Sequence, residues 1–151
     1  MLQFIGFRLE NEEYAVPIVS VREIINLQQI TTLPNVPEYV EGMTSIRGNV
    51  VPIINLKKRM HLPGNGNGSS MKIMVIASEK NTYGVLIDGV TGVLSIEEQA
   101  IEASETIADS GTASFVDGIA KLGNRLVIIL DTVSLLPVRA HPAPEISATK
   151  E

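Results

Sequence analysis

Apolar residues in this chain come in short runs, most of them bounded by polar or glycine-containing breaks. Residues 4–10 alternate, with Ile5, Phe7 and Leu9 on one face and Gly6, Arg8 and Glu10 on the other, the pattern of a strand with one buried side. Residues 50–54 and 126–130 are apolar at every position. A strand of that kind needs cover on both faces, so these two are expected where halves of the molecule, or molecule and partner, meet. Asn11-Glu12-Glu13 and Lys80-Asn81-Thr82 predict hairpin turns. Asn55 precedes residues 56–60 and Asp131 precedes residues 132–136, which predicts two short helices, each capped by a side-chain oxygen.

The runs recur in order. Tyr14-Ala15-Val16-Pro17-Ile18 aligns with Tyr83-Gly84-Val85-Leu86-Ile87 at an offset of 69 residues, and Phe4-Ile5-Gly6-Phe7 falls on Ile73-Met74-Val75-Ile76 at the same offset. Tyr39-Val40-Glu41-Gly42 aligns with Phe115-Val116-Asp117-Gly118 at an offset of 76, continuing without gaps through residues 50–54 on 126–130. The second copy therefore carries seven extra residues between Leu94 and Phe115. Four blocks in one order indicate an internal duplication. Many short strands closed by turns predict a mainly β fold, and two five-stranded barrels fit the length because closure removes exposed edges. The copies run over about 1–63 and 71–136, with a glycine- and asparagine-rich flexible loop at 64–70 and a disordered tail at 137–151.

Composition narrows the function. A 44% hydrophobic content suits a packed globule, and 19% charged residues with a net charge of −5 leave no basic face for nucleic acid. The absence of cysteine excludes disulfide and thiolate chemistry and suits a reducing compartment. No apolar run approaches the ~20 residues of a membrane helix, and no basic region precedes the first apolar run, so neither export nor membrane insertion is expected.

Candidate chemistry is sparse. The loop at 64–70 lacks a suitably placed lysine and leads into a strand, not a helix, which excludes a phosphate cradle. His61 and His141 stand alone, without cysteine or clustered carboxylates, so no metal or cofactor is expected. Asp88 at a strand end reads as a turn former before a general base, and Glu97, Glu98, Glu102 and Glu105 read as a solvated acidic stretch. The informative asymmetry is Arg47, in a turn between apolar strands, whose repeat mate is Gly123. An arginine so placed is either an interface anchor or a solvated or internally paired turn residue.

Residues 39–56, with Gly42, Ser45-Ile46-Arg47-Gly48 and Val51-Pro52-Ile53-Ile54-Asn55-Leu56, resemble the signature of the CheW family of bacterial chemotaxis coupling proteins. Supporting blocks at 12–16, 21–24, 84–90 and 123–131 extend the resemblance over residues 4–136 in family order. Ser45 departs from it, standing where the family usually has asparagine. The resemblance implies two small SH3-like or OB-like barrels that exchange strands. It further implies a non-catalytic cytoplasmic adaptor, recruited to membrane-associated receptor complexes. The expected partners are the cytoplasmic tip of methyl-accepting chemoreceptors and the regulatory domain of the histidine kinase CheA. Arg47, Gly42, Val21, Glu23 and Val93 match positions associated in the family with receptor coupling, and the kinase contact is not identified. A small-ligand or oligosaccharide-binding barrel is the alternative, poorly supplied with aromatic residues, and an enzyme using Asp88 is the third reading.

Overall fold

A computed structural model describes residues 1–62, 71–77, 81–103 and 115–135. The loop expected at 64–70, the tail at 137–151 and Glu105 lie outside them. Among the described residues eleven strands and one short α-helix, besides two single turns of 3-10 helix, follow in order: β1 (Leu2–Leu9), β2 (Glu12–Pro17), β3 (Val21–Asn26), β4 (Val40–Ile46), β5 (Asn49–Asn55), α1 (Leu56–Arg59), β6 (Lys72–Ala77), β7 (Thr82–Ile87), β8 (Gly89–Ile96), β9 (Ile101–Ala103), β10 (Val116–Leu122) and β11 (Arg125–Leu130). They form two sheets, β8-β1-β2-β11-β10-β9 and β3-β6-β7-β5-β4. The fold is mainly β, as the strand pattern predicts.

The two copies exchange their first hairpins. β1 and β2 pair with β8 and β11 of the second copy, while β6 and β7 pair with β3 and β5 of the first. Both exchanges are sealed by a parallel pair, β2 with β11 and β7 with β5, and those are the two strands that are apolar on both faces. Each sheet curls around its own core. Val51, Ile53, Ile73, Val75 and Leu86 fill one barrel; Phe4, Ala15, Ile96, Ala120, Val127 and Ile129 fill the other. The alternate residues of the same strands, among them Phe7, Leu9, Tyr14, Val16, Ile54, Met74, Tyr83, Val85 and Leu130, meet in a third core shared by both sheets. Period-two alternation thus places every second side chain in a barrel and the others in the seam.

Four expectations are refined. Phe4 and Gly6, on the face opposite Ile5 and Phe7, are also buried, because that face points into a barrel and not into water. The first turn is only Glu10-Asn11, since Leu9 already pairs with Glu12, and Glu10 takes the left-handed φ of 57° that so tight a loop demands. Asn55 caps α1 by accepting from the Lys58 N–H at 3.2 Å, but residues 132–135 form a hydrogen-bonded turn in place of a second helix. There Asp131 accepts from the Val133 N–H and the Ser134 hydroxyl. Finally, Val50 and Leu126, repeat mates beside their hairpin turns, stay 67% and 59% exposed although the strands they open are covered on both faces further along.

β9 makes one sheet six-stranded. In the first copy its counterpart is a single bridge between Thr31 and Met43. At the seam, the Arg59 guanidinium lies 4.4 Å from the Tyr39 ring and 4.8 Å from that of Phe115, which are repeat mates. It also donates to the carbonyls of Ser134 and Leu135. Tyr83 donates its hydroxyl to the Thr132 carbonyl, and burial, followed by the Asp131 charge, raises its pKa.

Candidate functional site

The tip of β4–β5 is a two-residue turn in which Ile46 pairs with Asn49. Arg47 and Gly48 both take positive φ, 52° and 84°, the conformation of a type I′ hairpin. Glycine is at ease there; arginine is uncommon. The turn aims the guanidinium across to β3, where Nε lies 2.9 Å from Glu23 Oε2 and Nη2 lies 2.8 Å from Oε1. Such a bidentate fork is directional as well as attractive. The arginine side chain remains 75% exposed while the carboxylate is 17% exposed, so the pair presents a cation outward on an anchored base. Hydrogen bonds from Arg47, opposed by slight burial and helped by the charges of Arg47 and Arg22, hold the Glu23 carboxyl below its usual range.

Beside this pair opens a cavity of about 320 Å³, lined by Arg22, Asn49, Val50, Val75 and Thr82 together with the pair itself. The same place in the other barrel is occupied. By the two repeat offsets, Thr82 corresponds to Glu13, Arg22 to Thr91 and Asn49 to Arg125. Arg125 grips both oxygens of Glu13 at 2.8 Å, and the Thr91 hydroxyl donates to it at 2.6 Å. At one barrel end these three positions bond one another, and at the other they line a cavity rimmed by two arginines.

The remaining residues singled out by the sequence are placed as follows. Val21 and Glu23 share β3, separated by a register shift against β6, and Val21 packs against the seam core. Gly42 is buried at φ 148°, and a Cβ there would lie 2.0 Å from the Thr31 carbonyl oxygen, so this glycine lets the chain before β4 bridge onto the strand. Val93 is 57% exposed on β8, the edge strand of the other sheet, opposite Ile5. Arg47 and Glu23 are thus in direct contact, Gly42 supports the strand that carries Arg47, and Val93 lies on a separate sheet. Ser45 points to solvent, and only its carbonyl is engaged, accepting from Gln28 at 2.8 Å.

Two features escape the sequence pattern. Lys57, in α1, has a side chain only 6% exposed and contacts Glu10 at 2.6 Å and Asp88 at 2.9 Å. Burial would lower its pKa, but hydrogen bonds and charge from both carboxylates more than offset this, so it is held above the ordinary lysine value. Asp88 also accepts from the Glu10 N–H at 2.7 Å. It is an ion-pair partner as well as a residue of the strand crossing. Nothing in a run of three basic residues distinguishes the one that turns inward. The second feature is an apolar groove of about 420 Å³ formed by Met1, Leu2, Phe4, Pro17, Ile18 and Val19, with Asp117 at its edge. Val19 in it is 89% exposed, and chain-end residues joined to a strand-end turn leave no periodic signal. Among the described residues no three potential metal ligands converge. His61 is exposed, as are Glu97, Glu98 and Glu102, and among the described residues no helix is long and apolar enough to cross a membrane.

Comparison with known proteins agrees with this architecture. The family model for the CheW-like domain matches residues 3–140. The chain is 34% identical over 137 residues to chemotaxis protein CheW of Helicobacter pylori, covering 90% of this chain and 82% of that one. It is 32% identical over 134 residues to chemotaxis protein CheW of Klebsiella aerogenes, covering 89% and 81%. Among solved structures, the scaffolding protein TtCheW from Thermoanaerobacter tengcongensis superposes with a TM-score of 0.82 at 31% identity, covering 91% of this chain and 89% of that one. These relatives are named as chemotaxis and scaffolding proteins, not as enzymes. Matching over nearly its whole length in sequence and in fold, the chain belongs to the family of CheW-like chemotaxis scaffold proteins.

Proposed function

We propose that this chain is a non-catalytic cytoplasmic adaptor that couples the tips of transmembrane chemoreceptors to the regulatory domain of the histidine kinase CheA. The observation that carries the reading is one barrel end: an arginine held in a left-handed turn, forked onto Glu23, beside a cavity whose lining residues have repeat mates, Glu13, Thr91 and Arg125, that bond one another. A receptor tip is a helical hairpin, and apolar side chains of such a hairpin fit against Val50 and Val21 while Arg47 orients a carboxylate. In this reading Arg47, Glu23, Val21 and Val93 contact the receptor, and Gly42 acts by holding β4 in place. The kinase domain docks on the apolar groove around Leu2, Phe4 and Val19, on the other sheet. Such a groove has the composition of an interface core. The open cavity has no aromatic lining, which argues against the oligosaccharide-binding alternative.

The test is a pull-down, followed by titration, with purified receptor fragment and kinase regulatory domain. Arg47→Glu is expected to weaken receptor binding at nearly unchanged melting temperature, and Val19→Asp to weaken kinase binding alone. Saturable binding of the parent chain to neither partner would overturn the adaptor reading. A large loss of melting temperature in Arg47→Glu would instead assign Arg47 a structural role.

A further inference from the structure

The Arg47 tip and the Val19 groove lie on different barrels, so an adaptor that uses both needs the barrels held at a fixed angle. The seam between them is a broad apolar core, and apolar burial is non-directional: it favours contact without choosing one orientation. Polar contacts cross the seam at several places: Arg59 donates to the Ser134 and Leu135 carbonyls, Tyr83 donates to that of Thr132, and a further arrangement is built on a buried ammonium. Lys57 belongs to α1, which continues directly from β5 of the five-stranded sheet. Glu10 sits at the tip of the exchanged β1–β2 hairpin in the six-stranded sheet. Asp88 is the single residue between β7 of one sheet and β8 of the other. The ammonium meets both carboxylates, and the Asp88 N–H donates to the Arg8 carbonyl at 3.0 Å, so three segments converge on one buried charge.

The arrangement is not repeated. The repeat mate of Lys57 is Val133, 68% exposed, and that of Asp88 is Val19, 89% exposed. A device needed only to stabilise each barrel would be expected in both halves; this one exists on one side of the molecule. Opposite it, where the clamp has no counterpart, Val19 belongs to the apolar groove.

We propose that Lys57 is a positioning residue: by clamping Glu10 and Asp88 it sets the angle between the barrels, and with it the spacing of the Arg47 tip and the Val19 groove. The functional half of this inference rests on the adaptor reading; the structural half does not. The clamp's charge-assisted hydrogen bonds add directionality to a mainly apolar seam, beside those that Arg59 makes. On this proposal the cluster, with Lys57 buried and its carboxylate partners partly exposed, contributes more to a specific arrangement than to net stability.

The cysteine-free chain allows a direct measurement. Val50→Cys and Leu126→Cys place one nitroxide label on each barrel, and pulsed electron paramagnetic resonance reads the distance between them. The parent is expected to give one narrow distribution and Lys57→Met a broadened or displaced one. In unlabelled protein, Lys57→Met should bind each partner alone as the parent does. It should bind the kinase domain about tenfold more weakly once the receptor fragment is bound, a loss of about 1.4 kcal/mol. An unchanged distance distribution overturns the clamp, and a changed distribution with unchanged ternary affinity overturns its positioning role. If Lys57→Met does not melt cooperatively, the variant combining Lys57→Met, Glu10→Gln and Asp88→Asn leaves no unpaired buried charge and is judged by the same readouts. A parent chain that binds neither partner defeats the adaptor reading, while the distance measurement still decides the clamp.

Discussion

Arg47 shows how a single residue departs from what its backbone prefers. Its repeat mate Gly123 also has positive φ, 62°, and there the glycine is retained. A non-glycine residue held in that region is the kind of local conflict that points to function before stability. Its arginine–glycine asymmetry is visible in the sequence; the contact with Glu23, 24 positions away, is made only when the pairing of sheets brings the two within reach. Gly42 makes the converse point. The family resemblance groups it with receptor coupling, whereas its geometry is that of a residue without room for a Cβ, facing a backbone oxygen that cannot move aside. Gly42→Ala is therefore expected to cost at least about 3 kcal/mol in chemical denaturation, with any loss of receptor binding following the loss of structure. This is opposite in kind to Arg47→Glu, which separates binding from stability.

Among the elements, β2, β8 and β11 are tied at one barrel end by Glu13, Thr91 and Arg125. Burial alone would raise the Glu13 carboxyl, but hydrogen bonds from Thr91 and Arg125, with the charges of Arg125 and Arg8, outweigh it and hold the group below its ordinary value. A depressed carboxylate contributes stability that is complete above its unfolded pKa, about 4.3 for glutamate, and is lost as pH falls from there through the folded value. Melting measured from neutral pH downward should show this loss below that point, and Glu13→Gln should be less stable than the parent at neutral pH and flatter through the acid range. The elements themselves were legible because apolar residues come in short runs between turn residues, alternating in β1 and continuous in β5 and β11. The hairpin ends were less so, since a two-residue turn places Glu12 and Glu13 inside β2 despite their charge. The second helix was not legible: Asp131 has the chemistry of a cap, but its side chain bonds Val133 and Ser134 in a turn.

For the whole molecule, the exchange of hairpins means that neither copy contains a complete barrel. Residues 1–62 lack β6 and β7, and without them Ile53 and Ile54 lose their cover; each such isoleucine is worth about 1.5–3 kcal/mol of burial. The segments 1–62 and 71–151, made separately, are accordingly expected to lack dispersed amide resonances, and to regain them on mixing. A folded 1–62 segment would contradict the exchange. Arg59, lying between the rings of the repeat mates Tyr39 and Phe115, marks the same junction and depends on both halves being present.

The sequence by itself determined the strands, their duplication and the arginine that breaks the repeat. All of these are local: they depend on alternation, spacing and residue type within a few positions. Tertiary structure decided which hairpin completes which barrel, that Lys57 and not Lys58 is buried, that Glu23 anchors Arg47, and that chain-start residues and Val19 form one groove. Each of those rests on contacts between segments far apart in the chain. Their energies arise only after the sheets have paired, so a reading confined to neighbouring positions has no term for them.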